Sequence, residues 1–431
     1  IKEGRISKTA FKQYKNSPYY QGKMDLWYMF ACKGIDFLKN NGHLCFIATN
    51  NWVTSNGASK LRNKIISESQ IKQLIDFGNF MIFESASIQT MIMLFSKDDV
   101  TDNYTFDYRK LQGNTILSDV IDLLETKPNP KATYIVPKII RNDFKNAFLN
   151  FTSEEKDIIL AKVADKGVYL TEREMAQGMV LPQDFLNKKN QVKLGNNFVV
   201  GQGVFGLSNK EMSDLQLSEN ELKLIKPYYT TEQIHRYYSN PENKLWVIYT
   251  DSSFKNQRSM DNYPNLKKHL DRFASVVTSD NKPYGLHRAR EEKFFKGEKV
   301  IVQRKCVGRP SFSYSNFDCY VSATFYIIKS ERFNAKFLVG LLNSKLITFW
   351  LKNKGKMQGD NYQLDKEPLL QIPIPSVSLE EQQPVISFIN EILAIKQENP
   401  TTDTNALENE IDKLVYELYE LTKEEIGIIA G

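Results

Sequence analysis

Residues 24–97 read MDLWYMFACKGIDFLKNNGHLCFIATNNWVTSNGASKLRNKIISESQIKQLIDFGNFMIFESASIQTMIMLFSK. From Met24 to Lys39 the apolar residues recur at helical spacing, and Asn40-Asn41-Gly42 supplies a C-terminal stop. HLCFIAT (43–49) is a short apolar run of strand length, NNWVTSNG a loop, and ASKLRNKIISES a second helix with Leu61, Ile65 and Ile66 turned inward. IKQLIDFGN (71–79) and SIQTMIMLFSK (87–97) read as two strands joined by FMIFESA. Helix, strand, helix, strand, strand with short connections predicts an α/β domain with an antiparallel hairpin at the sheet edge.

Upstream lies only IKEGRISKTAFKQYK, which has no apolar run of strand length, followed by Asn16-Ser17-Pro18-Tyr19. That tetrapeptide reads as a proline-containing surface turn. Downstream, YTFDYRKL predicts a strand and SDVIDLLETK a helix, whereas KPNPKATYIVPK, with three prolines, reads as an inter-domain linker. A chain of 431 residues exceeds the size at which one core keeps growing. The expected division is 1–110, a linker over 111–165, a second α+β domain over 166–376, and C-terminal helices over 377–431.

Apolar content of 41% with 12% aromatics suffices for packed cores. No apolar run is long enough for a membrane span, and the first residues contain no signal-peptide core. Cys32, Cys45, Cys306 and Cys319 form no CxxC pair and read as reduced thiols of a cytoplasmic protein. The four histidines lie far apart, so no metal site is expected. Glu125-Thr126-Lys127 after Asp119 and Asp122 mimics a nuclease carboxylate set, but all its groups share one helix end, so coincidence is the better reading.

The net charge of +6 is unevenly distributed. Residues 281–312 hold nine Lys/Arg against three Glu, and residues 345–356 hold four lysines and no acid. Residues 379–431 carry twelve acids and three bases. Such segregation fits either a polyanion partner or a solvated basic face. Arg304, Lys305 and Arg309 are expected at strand ends, where an arginine can read a guanine edge. Arg288 and Arg290 are expected to touch bases or phosphates, and Lys352, Lys354 and Lys356 around Gly355 to clamp the backbone. In the acidic tail, Leu407, Ile411, Leu414, Leu418 and Leu421 follow a 4-3-4-3 spacing. An antiparallel helical hairpin packed on its own domain is expected, with a seam for a partner subunit as the alternative.

Residues 20–97 resemble the latter half of the Taq-type adenine-N6 DNA methyltransferases, a family that includes fused restriction–modification enzymes. The likeness rests on the Asp25-Leu26 helix, the Asn41-Gly42 turn, the Asn50-x-Trp52 loop and the Phe83-Glu84-x-Ala86 connection. A second likeness covers the target-recognition domain of the same family: LIKPYYTTEQIHRYY with KLWVIYT, LVGLLNSKLITFWLKNKGKMQGDNYQLDKEPLLQIPIP, and EIDKLVYELYELTKEEI. The Asn-Ser-Lys and Pro-Ile-Pro elements also occur in Type I specificity subunits.

The likeness implies an incomplete Rossmann-like methyltransferase domain followed by a module that reads double-stranded DNA. It implies S-adenosylmethionine as methyl donor, with the main binding motif expected upstream of Ile1, and magnesium only if a nuclease domain is fused. It also implies that Phe83 stacks on an extruded adenine, with a place in the core as the alternative. Asn50 and Trp52 then either line the base pocket or anchor their loop. Methylating an exocyclic amine requires a rigid strand end carrying acceptors and an aromatic ring, because the nitrogen lone pair is conjugated into the base. In the family an Asn-Pro-Pro-Tyr turn does this, 15–30 residues before the Asp-Leu-Tyr helix. Asn16 to Tyr19 falls too late, so the chain by itself is expected not to methylate. The Gly201–Gly206 turn (GxGxxG) lacks a packed helix after it, so nucleotide binding is not expected there; within the family such a turn, followed by Ser-Asn-Lys, opens the recognition domain. The alternative to an enzyme is a specificity module that binds DNA and delivers a separate catalytic subunit.

Overall fold

A computed structural model describes residues 8–98, 101–358 and 361–430. The chain divides into two compact units, residues 1–162 with 356–361, and residues 163–355 with 362–431.

In the first unit, helices α1 (Lys8–Lys15) and α2 (Trp27–Phe37) precede strand β1 (His43–Thr49). Helix α3 (Ser59–Glu68), strands β2 (Gln70–Asp76), β3 (Thr90–Ser96), β4 (Asn103–Thr105) and β5 (Asp107–Leu111), helix α4 (Leu117–Leu124), and strands β6 (Ala132–Ile135) and β7 (Lys138–Ile140) follow. The main sheet has the order β1-β3-β2-β5-β6. Strand β3 runs antiparallel to both neighbours, and β2 is parallel to β5 with Gln73 opposite Asp107. The hairpin expected at the edge is therefore inside the sheet. Strand β3 (TMIMLFS) is apolar on both faces and demands cover on both, whereas β1 alternates exposed and half-buried residues, as an edge strand does.

Pleating sends Leu74, Met91, Met93 and Phe95 to one face, where Leu61 and Ile65 of α3 and Ala31 and Ile35 of α2 cover them. Ile75 and Ile92 face the other way, toward Leu111, Val120 and Leu123. Each fully buried aliphatic side chain contributes about 1.5–3 kcal/mol. The segment expected as a linker is instead folded: Ala132–Ile135 pairs with β5 and Lys138–Ile140 with β4. Its three prolines lie outside both strands, so the ladders lose no donor.

The second unit holds two larger sheets. One runs Gly206–Ser208, Leu245–Ile248, Ile225–Tyr229, Tyr320–Val321; the other runs Tyr237–Tyr238, Phe312–Ser315, Lys299–Gln303, Phe325–Ile328, Met175–Gln177. Val247, Ile248, Ile301 and Ile327 meet in one core. Helices Ala335–Asn343, Leu379–Glu398 and Asn405–Leu418 pack together within this unit. The buried stripe of the last of these passes through Ile411 and Val415, while Leu407, Leu414 and Leu418 are only half-buried, so the packed face is rotated from the expected leucine seam. Among the described residues no helix is long and apolar enough to cross a membrane. The four cysteines are free thiols.

Candidate nucleic-acid interface

Strands β1, β2 and β5 are mutually parallel, so one end of the sheet gathers the loops after Thr49, Asp76 and Leu111. Ligands of open α/β sheets bind at that carboxyl end. The Asp76 carboxylate, 6% exposed, accepts hydrogen bonds from Asn50 Nδ2 at 2.9 Å and from the Gly78 amide at 3.0 Å. Asn50 thus ties the loop after β1 to the loop after β2. Gly78 has φ of +57° and sits where a Cβ would meet the Leu111 carbonyl at 2.3 Å. The loop that follows bends around this knot and presents Met81, Phe83 and Ile88 to solvent, each about two-fifths exposed.

Phe83 is therefore not a core residue. Trp52 is one: it is fully buried, its indole N–H points at Met91 Sδ, and it meets Phe95 edge to face. Of the two roles expected for Trp52, this burial suits anchoring its loop, because an apolar ring between helix and sheet gains more from packing than from facing solvent. Asn16 to Tyr19 leaves the C-terminal end of α1 as a turn. The Asn16 amide donates to Gln13 O, the Tyr19 hydroxyl donates to Asp36, and Lys60 holds the Pro18 carbonyl. This is a helix end rather than a strand end.

In the second unit the cations of residues 281–312 divide into two groups. Lys299 is fully buried and donates to the carbonyls of Gly297 and Phe317. Arg304 grips Asp365 through Nε at 3.1 Å and Nη2 at 2.6 Å and also reaches Ala323 O. Arg290 reaches Gln177 Oε1 at 3.0 Å and stands at φ +75°. Arg309 pairs with Glu408 at 3.3 Å, Lys293 with Glu291, and Lys296 with Glu292. Arg304, expected where an arginine could read a guanine edge, and Arg290, expected on bases or phosphates, are thus engaged by side chains and backbone of their own unit. A guanidinium fork engaged by a carboxylate presents no second fork to a guanine edge.

Arg288 and Lys305 remain exposed and without a carboxylate partner among the described residues. Arg288 is fixed by backbone pairing with Val180, and Lys305 stands on strand Lys305–Val307 beside Val307, which is 86% exposed. The chain turns at Gly308, φ +75°, and returns through the half-exposed Arg309. Lys352 is exposed, whereas Lys354 is half-buried. Lys356, also half-buried, belongs to the segment 356–361 grouped with the first unit.

An open groove of about 620 Å³ is lined by Lys255, Gln257, Thr278, Ser279, Asp280 and Lys282. The Gly201–Gly206 turn holds no anion cradle: the Glu211 carboxylate already accepts the Gly203 amide at 2.7 Å, the Ser208 amide at 2.9 Å and the Ser208 hydroxyl at 2.7 Å. Burial raises the Glu211 pKa, but those three donors outweigh it and hold the carboxylate below its usual range. In the first unit Gly57, within the single turn Asn56–Ala58, is closed off by Lys23 O, and Gly78, after β2, by Leu111 O, whereas Gly113, after β5, is open.

Residues 1–83 match the family model described as Eco57I restriction-modification methylase, and residues 226–374 the TaqI-like C-terminal specificity domain. The chain is 22% identical over 386 residues to the Type II methyltransferase M.HindII of Haemophilus influenzae, covering 85% of this chain and 69% of that protein. It is 21% identical over 450 residues to the Type II restriction enzyme and methyltransferase RM.Eco57I of Escherichia coli, covering 96% of this chain and 42% of that protein. Among solved structures, the Type IIL restriction-modification enzyme MmeI in complex with DNA shares the fold at a TM-score of 0.64 and 13% identity, covering all of this chain and 55% of that one. The chain thus combines an Eco57I-type restriction-modification methylase segment with a TaqI-like C-terminal specificity domain, and its relatives are Type II restriction-modification methyltransferases.

Proposed function

We propose that the chain serves a restriction–modification enzyme that methylates adenine N6 in duplex DNA, its second unit selecting the sequence and its first unit contributing the base-facing loop. The observation that carries this reading is the exposed Phe83 at the carboxyl end of β2, inside a segment that matches a methylase family and precedes a specificity domain. An aromatic side chain left in water at a ligand-binding sheet end is available to stack on a flipped base. Arg288, Lys305 and Lys352 are the exposed cations of the second unit proposed to meet phosphates or base edges. That MmeI was solved in complex with DNA supports the choice of partner. S-adenosylmethionine is the proposed donor, and magnesium enters only with a nuclease domain. The specificity-module alternative is less favoured, because the methylase match covers residues 1–83.

The test is transfer of labelled methyl from S-adenosylmethionine to duplex DNA by an enzyme carrying this chain, followed by nucleoside analysis. N6-methyladenine is expected. Methylcytosine would overturn the adenine assignment, and sequence-specific binding without transfer would favour the module.

A further inference from the structure

Residues 187–201, NKKNQVKLGNNFVVG, leave the body of the second unit and return to it. The excursion is closed by backbone hydrogen bonds from Gly201 N to Leu186 O and from Leu186 N to Gln202 O, both 2.8 Å. Inside it, Asn187 caps the short helix Lys188–Leu194, and Gln191 Nε2 donates to the carbonyls of Gly195 and Phe198. Phe198 packs edge to face on Phe273 at 5.5 Å, with Arg272 stacked over it. Gly195 and Gly201 take φ of +94° and +87°, which L side chains rarely adopt. The excursion is thus internally bonded and pinned to the core.

Its outer surface is unusual. Val192, Val199 and Val200 are 70%, 69% and 53% exposed. Lys188, Lys189 and Lys193 are also exposed, the segment contains no acid, and none of the three lysines pairs with a carboxylate among the described residues. Apolar side chains held in water beside unpaired cations match the side of a DNA groove, where phosphates alternate with sugar and methyl surface. Val180, seven residues before the excursion, pairs with Arg288, so the two lie no more than about 30 Å apart, roughly nine base pairs of duplex.

We propose that this excursion is a second DNA-contacting element of the specificity unit, with Lys188, Lys189 and Lys193 on phosphates and Val192, Val199 and Val200 against apolar groove surface. The inference rests on the proposed DNA partner. A membrane surface suits it less, because the helix has only seven residues. A second copy of the chain suits it less, because three valines fall far short of the roughly 800 Å² per partner of a standard interface.

The experiment measures binding of the 431-residue chain to a labelled 30-base-pair duplex of mixed sequence over a salt series. Changing Lys188, Lys189 and Lys193 together to Gln is expected to reduce the slope of log affinity against log salt by up to about 2.7, or about 0.9 for each lost phosphate contact. Val199→Ser with Val200→Ser is expected to weaken binding several-fold with the slope unchanged. Thermal midpoints should match the parent chain in both variants, since all five residues are exposed. A parent chain that binds with strong salt dependence, and whose slope survives the lysine changes, would overturn the excursion's role and leave the proposed function standing. A parent chain that fails to bind at low salt would overturn both. Duplex binding untouched by the valine changes would also overturn the proposal, whether those changes abolish self-association or binding to phosphatidylserine vesicles.

Discussion

Phe83 and Trp52 lie on two loops of one unit and call for opposite outcomes on truncation. Trp52 is fully buried against Phe95 and Met91, so Trp52→Ala should cost about 3–5 kcal/mol of stability. Phe83 is 41% exposed, so it retains at most six-tenths of the roughly 1.5–3 kcal/mol of a fully buried ring, and Phe83→Ala should cost about 1 kcal/mol. The catalytic effect should exceed the structural one. Stacking on a base is worth about 1–3 kcal/mol, which converts to about 5- to 150-fold in methyl transfer. The assay compares labelled methyl transfer to a duplex whose target adenine is paired with one whose target is mismatched, using an enzyme carrying this chain. The mismatched target has less unpairing to offset, so its loss should be smaller, and duplex affinity should stay within a few-fold. Equal losses on both targets, or a melting shift as large as that of Trp52→Ala, would refute the stacking role.

Arg304→Ala should lower stability by about 1–3 kcal/mol, because it breaks a two-nitrogen grip on Asp365 and a bond to Ala323 O. Asp365→Asn should reproduce much of that loss, and DNA affinity should fall equally for all sequences; a loss confined to one preferred sequence, measured by competition binding, would restore base reading. Lys299 is buried beside Cys319, Asp318 and Lys329, and burial pulls its pKa from 10.5 down to about 8. Between about pH 8 and 10.5 the unfolded chain holds this proton and the folded chain does not, so stability should rise with pH there. Urea titrations of the parent chain and Lys299→Met should diverge across that window, and parallel pH profiles would show that Lys299 keeps its ordinary proton affinity.

Hydrophobic period alone placed HLCFIAT as a strand with the bounds His43–Thr49, together with the two flanking helices and the following hairpin, because local pattern dictates element type. The capping box in which Ser378 and Glu381 start helix Leu379–Glu398 is equally local, as it needs only side chains three residues apart. The rest was not local. That β3 lies inside the sheet depends on β1 pairing with it across more than forty residues. The Pro-rich stretch read as a linker because its partners, β4 and β5, are more than twenty residues away.

At the candidate site the sequence determined which residue types are present, including Phe83 in its loop, the excess of lysine and arginine in the second unit, and the absence of acids from residues 187–201. Only the tertiary structure decided which of those groups are free to act. Burial took Trp52 and Lys299 out of contact with solvent, and Asp365, Gln177 and Glu408 engaged Arg304, Arg290 and Arg309. A charge contributes to binding only if folding leaves it unpaired and wet, and which carboxylate stands 3 Å from which arginine is set by strand and helix packing, not by position along the chain.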